Sequence, residues 1–148
     1  MQRFKRAFSV LLGFVLCAGI PAEAQSGFKV YISADMEGIA GLVDETQTSP
    51  TGRDYALGRK LMTAEVNAAI AAAFEAGATE VWVNDSHWAQ TNLQPEQLER
   101  RAVLISGQPK PFGMMQGIDA SFAAVIFIGY HPQASTPTAC STTPTTTS

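Results

Sequence analysis

The succession of strand, long helix and strand between Phe28 and Val83 constrains this chain more than any other feature. Residues 28–34 carry Val30, Tyr31 and Ile32 with little alternation, which suits a strand covered on both faces. Leu57, Leu61, Ala64, Ala68, Ala71 and Phe74 then recur at three- and four-residue steps, the pattern of one apolar helical stripe. Asp54 stands where an N-cap belongs, and Gly77 where a helix commonly stops. The alanine-rich stretch 68–76 would let that helix pack closely on a sheet. Residues 79–83 form the second strand, so the two strands are expected parallel with a right-handed crossover. Two further apolar runs, 102–106 and 123–128, add strands three and four. Residues 41–52 read as loop, and short helical segments are expected at 95–99 and 114–118. The expected fold class is α/β: a three-layer, mostly parallel sheet with flanking helices, incomplete at its carboxyl end.

Both ends of the chain differ in character from this middle. Arg3, Lys5 and Arg6 precede an apolar run at 7–20, and Ala22-Glu23-Ala24 follows as a small-x-small site. That is the pattern of a secretory signal peptide, cleaved after Ala24. The run is too short for a comfortable membrane span. Export to the periplasm or beyond the cell is therefore expected, with no stable membrane insertion after cleavage. Residues 25–137 hold the α/β domain. Residues 138–148 are dominated by Thr, Ser and Pro and are expected to be disordered. The formal net charge of −3, without a basic run, argues against nucleic acid as a partner. Cys17 leaves with the signal, so Cys140 has no partner for an intramolecular disulfide.

In a parallel α/β sheet, ligands bind beyond the carboxyl ends of the strands. The first strand runs into Asp35 and Glu37, whose two-residue spacing aims both carboxylates at one spot. Left alone they would repel each other, and a cation between them turns that repulsion into binding. Gly38 then permits a turn. The second strand ends in Asp85 and His87, the fourth in His131, and these are the two histidines of the chain. Two carboxylates and two imidazoles at one sheet edge suit zinc or a similar divalent ion. An Asp-x-Glu pair or a histidine taken singly is more often solvated or structural; the joint placement is what points to metal. Asp85 reads either as a partner that orients an imidazole or as a turn cap. Tyr130 reads as core or rim, Lys110 as solvated, and Ser33 as a serine without a base.

Several blocks resemble one family, in the family's order. They are Tyr31-Ile32-Ser33-Ala34-Asp35-Met36-Glu37-Gly38-Ile39-Ala40-Gly41, then Tyr55 with 58–65, then Val83-Asn84-Asp85-Ser86-His87. Leu104-Ile105-Ser106-Gly107 with Lys110-Pro111-Phe112, and Gly129-Tyr130-His131 with Ala134-Ser135-Thr136-Pro137, complete the match. The chain thereby resembles the bacterial zinc D-aminopeptidases linked to dipeptide-transport operons. The resemblance implies a metallopeptidase that releases N-terminal D-amino acids from short peptides such as D-Ala-D-Ala. It also implies a two-zinc site and a ring-like homo-oligomer. By position, Asp35, Glu37, His87 and His131 look like zinc ligands of that site, with Asp35 bridging.

One departure matters. The family continues past the Ser-Thr-Pro block with a catalytic histidine and a further glutamate ligand, whereas this sequence has no histidine after His131 and no glutamate after Glu99. The chain is therefore expected to be a truncated form with little activity alone, and no residue is assigned a catalytic role. The alternative is an inactive remnant that binds metal or peptide.

Overall fold

A computed structural model describes residues 27–132. The expected signal peptide, the Thr-rich tail and Cys140 lie outside them. The described chain contains a four-stranded parallel sheet: β1 (Lys29–Ala34), β2 (Glu80–Asp85), β3 (Val103–Ile105) and β4 (Ala124–Ile128). The order across the sheet is β3-β2-β1-β4. Val30 lies beside Val81 on one side and Ala124 on the other, so β1 is flanked on both edges. The chain steps outward from β1 to β2 to β3 and then returns to the opposite edge of β1. That reversal places a topological switch point at the carboxyl ends of β1 and β4, where α/β sheets bind ligands. The fold class expected from the sequence is the one observed.

Two helices accompany the sheet, α1 (Glu45–Thr48) and α2 (Tyr55–Glu75). Helix α1 falls in the stretch read as loop. Asp44 and Gln47 form a capping box there: Asp44 Oδ1 accepts from Thr46 N at 2.8 Å, and Gln47 Oε1 accepts from Asp44 N at 3.1 Å. Helix α2 ends at Glu75, and Gly77 follows at φ +97°, as a C-terminal glycine should. Asp54 occupies the N-cap position but makes no capping bond. Its Oδ2 instead accepts from Thr46 Oγ1 at 3.1 Å and ties the start of α2 to α1.

The buried stripe of α2 is not the expected one. Gly58, Met62, Thr63, Val66, Ile70 and Ala73 are buried, while Leu57 is 47% exposed and Ala64, Ala68 and Ala71 face outward. At 100° per residue the observed face lies on nearly the opposite side of the helix, and of the expected stripe Leu61 and Phe74 still pack against the core from its margins. Alanine and leucine sit on almost every face of this helix, so side-chain volume decides the matter. Met62, Val66 and Ile70 fill the space over Val30, Ile32, Val81 and Val83. Ile70→Ala should therefore cost about 3 kcal/mol by chemical denaturation, and Leu57→Ala less than about 1 kcal/mol. Equal costs would contradict this packing.

The opposite face of β1 and β2 meets a single 3-10 turn, η1 (Gly113–Met115), in place of a longer helix. Tyr31 points there, donating to Gln116 O at 2.8 Å and stacking edge-on against Phe122 with centroids 5.4 Å apart. The helix expected at 95–99 is a turn, in which Gln97 N and Leu98 N both donate to Gln94 O. No helix among the described residues is long and apolar enough to cross a membrane.

Candidate metal centre

Strand β1 ends at Ala34, yet its ladder continues for four residues. Asp35 N donates to Ile128 O at 2.8 Å, and Gly38 N donates to Gly129 O at 2.7 Å. These bonds hold 35–38 against the end of β4. Met36 is turned fully into the core, so Asp35 and Glu37 face the other way, together. The geometry is the one the two-residue spacing suggests, although the residues lie just past the strand.

His87 follows β2 and is nearly buried. Its Nε2 lies 2.9 Å from the carbonyl of Thr48, the last residue of α1. A carbonyl oxygen only accepts, so Nε2 carries the proton. Nδ1 then faces two carboxylates, Asp35 Oδ1 and Glu37 Oε2, each at 3.1 Å. His131 repeats this logic with its nitrogens exchanged. Its Nδ1 donates to Pro132 O at 2.8 Å, and its Nε2 stands 4.0 Å from Asp35 Oδ2. Asp35 therefore has one oxygen toward each imidazole, and each imidazole presents to it the nitrogen that no carbonyl occupies.

Burial disfavours a cation on His87, but its bonds to Asp35 and Thr48, with the Glu37 carboxylate close beside Nδ1, outweigh burial and raise its pKa to about 10. Burial likewise works against ionised Glu37, but contact with the His87 imidazolium holds it down to about 2. Asp35 is pushed up, chiefly by burial, with the His87 bond pulling the other way. Without metal, the proton on His87 Nδ1 is the cation between the two acids. It points at Asp35 Oδ1, which leaves Glu37 Oε2 buried without a hydrogen bond. An orphaned carboxylate oxygen aimed at the same spot fits a divalent cation better than a proton, which satisfies one acid at a time. Asp35, Glu37 and His131 offer ligand atoms that all lie within 4.8 Å of one another. His87 Nδ1 approaches the same carboxylates from the β2 side.

Asp85 behaves as a cap. It is fully buried and accepts from Asn92 N at 2.5 Å, Asn92 Nδ2 at 2.7 Å and Leu93 N at 2.7 Å. It reaches His87 only through Asn92, whose Nδ2 also donates to His87 O at 2.6 Å. Asp85 thus fixes the backbone of His87 and does not touch the ring. Lys110 is not solvated as expected: Nζ donates to Asp85 O at 2.6 Å and Ile105 O at 3.0 Å, closing the ends of β2 and β3. Thr48 and Gly129, neither of which carries a sequence signal for the site, also serve it, as does Gly38. A Cβ on Gly38 would stand 2.7 Å from Tyr130 O, so the loop bearing Glu37 and the loop bearing His131 touch through bare backbone.

A parallel sheet with two carboxylates and two imidazoles gathered at its switch point defines an α/β protein built around a candidate metal centre. The particular lineage follows from comparison with known proteins. The model of peptidase family M55, the D-aminopeptidases, matches residues 28–146, and the chain belongs to that family. A D-aminopeptidase of Bacillus subtilis (strain 168) is 52% identical over 109 residues, which is 74% of this chain and 40% of that protein. A solved structure, described as the Zn-dependent D-aminopeptidase DppA from Bacillus subtilis, a self-compartmentalizing protease, shares the fold with a TM-score of 0.73. Identity there is 52%, with 74% of this chain and 40% of that one covered. The chain thus spans 40% of the length of the relatives it matches.

Proposed function

We propose that this chain carries the metal-binding part of a zinc-dependent D-aminopeptidase acting on short peptides with an N-terminal D-amino acid. One observation carries the proposal: Asp35 stands between the two imidazoles, and both turn their carbonyl-free nitrogen toward it. Asp35, Glu37, His87 and His131 would hold the metal. Asp35, with an oxygen on each side, suits a bridge between two ions. Zinc bound there would supply Lewis-acid polarisation of a peptide carbonyl and a nucleophilic water near neutral pH. The Thr48 carbonyl orients His87 by accepting a hydrogen bond from Nε2–H, and Asp85 fixes its backbone through Asn92. Membership in the family, whose relatives are named as D-aminopeptidases, supports the substrate class.

Both histidines of the sequence are engaged at this site, so none is left to shuttle a proton to the leaving amine. We therefore expect little D-Ala-D-Ala hydrolysis by this polypeptide alone; robust turnover would contradict that. Self-compartmentalization is a property of the Bacillus protein. A homo-oligomer here is our proposal, supported by Val125 and Phe127, which stand exposed on the edge strand β4. Export is likewise proposed, on the composition of residues 1–24.

The pH dependence has a definite sign. His87 is protonated at pH 7, because its pKa is raised to about 10. A metal bound at Nδ1 must expel that proton. Calorimetry in buffers of differing ionisation enthalpy should show about one proton released from this residue on zinc binding at pH 7. Release should fall toward zero above pH 10, where His87 is already neutral. Zinc uptake without proton release at pH 7 would place the metal elsewhere.

A further inference from the structure

Just beneath the candidate ligands lies a buried polar cluster of hydroxyls and one amide. Ser33 Oγ has three close partners: Met114 O at 2.6 Å, Tyr130 Oη at 2.6 Å and Ser86 Oγ at 2.8 Å. Asn84 Nδ2 donates to the same Met114 carbonyl at 2.7 Å. Ser33 and Asn84 are fully buried and Ser86 is nearly so.

Counting protons gives the direction of these bonds. A carbonyl oxygen only accepts, so the single proton of Ser33 goes to Met114 O. Ser33 then has two lone pairs, and both neighbouring hydroxyls must donate to them. Tyr130 therefore donates to Ser33. So does Ser86, whose other acceptor, Asn84 O, is more distant at 3.4 Å. The capacity of Ser33 is fully used, and both chains of donation run inward to one carbonyl of η1.

Position in the sequence gives this cluster its meaning. Ser33 lies two residues before Asp35, Ser86 one before His87, and Tyr130 one before His131. Each strand that delivers a candidate ligand thus contributes one hydroxyl to the same hub. We propose that Ser33 is a positioning residue that sets the mutual spacing of Asp35, His87 and His131, with Tyr130 its link to His131. The inference rests on the metal reading above. It goes further by making the turn at Met114, remote in sequence, the anchor of the site's geometry.

The test compares two tyrosines that bond to the same turn. Tyr130→Phe removes a donor to Ser33, while Tyr31→Phe removes a donor to Gln116 O and a long 3.5 Å contact to Met114 O, leaving in place the short bonds that Ser33 and Asn84 make to that carbonyl. Cobalt(II) is titrated into the full 148-residue chain and both variants, with the visible spectrum and thermal melting recorded. Tyr130→Phe should weaken cobalt binding about tenfold and alter the ligand-field bands. Tyr31→Phe should lower the melting temperature while leaving affinity and spectrum as in the parent. Ser33→Ala should shift affinity in the same direction as Tyr130→Phe. Parent-like affinity and spectrum in Tyr130→Phe, or an equal loss in Tyr31→Phe, would overturn the positioning role alone. Failure of the parent chain to take up cobalt would overturn the metal reading and this inference together.

Discussion

His87→Ala should destabilise the metal-free protein by about 3–5 kcal/mol at pH 7, because it strips the cation from between the buried Asp35 and the partly buried Glu37. Asp35 and Glu37 both lie 3.1 Å from His87 Nδ1, so both lose their shared partner at once. The penalty should shrink as pH falls, since protonating either acid relieves their repulsion. The parent behaves differently. Glu37 is held at about 2, below its ordinary value of 4.5, so its contribution is present above the ordinary value and is lost as pH falls through about 2. Urea denaturation of parent and variant across this range reads the difference directly. The variant should also lose zinc binding. A variant as stable as its parent at pH 7 would mean that the cluster does not hold its charges in this arrangement.

Gly129→Ala is expected to cost at least about 3 kcal/mol, for two reasons that act together. Gly129 has φ +69°, which a side chain disfavours, and a Cβ there would run into the carbonyl oxygen of Asp35. The loop carrying His131 would have to move away from the loop carrying Asp35 and Glu37, opening the metal centre along its seam. Gly107→Ala separates the two causes. Its φ is +78°, but a Cβ there meets nothing within 4 Å. That change should cost only about 1–2 kcal/mol and leave metal binding unaffected. If the two substitutions have equal effects in denaturation and zinc titration, contact between the loops is not what holds the site.

The sequence made the strands legible because β1 and β2 each hold an unbroken apolar run, Val30-Tyr31-Ile32 and Val81-Trp82-Val83, as strands covered on both faces do. The four candidate ligands were legible for a related reason: chemistry in a parallel sheet collects at the carboxyl ends of strands, and both histidines fall there. The face of α2 was not, since alanines surround it and Met62, Val66 and Ile70 declare themselves only when set over β1 and β2. Helix α1 is four residues long, too short for any period, and only its capping box signals it. The hub at Ser33 was hidden because its members are small polar residues in or beside strands, and its acceptor at Met114 is 81 residues away. Lys110 was misread because nothing local shows that two carbonyls at the ends of β2 and β3 await it.

The most direct test is diffraction from zinc-loaded crystals of this chain, with data collected at the zinc absorption edge. The expected result is anomalous density at Asp35 and Glu37, with His87 reaching it through Nδ1 on one side and His131 through Nε2 on the other, and the His87–Thr48 bond intact. A peak away from Asp35, or His87 bound through Nε2 with its contact to Thr48 broken, would contradict a metal centre organised around that carboxylate.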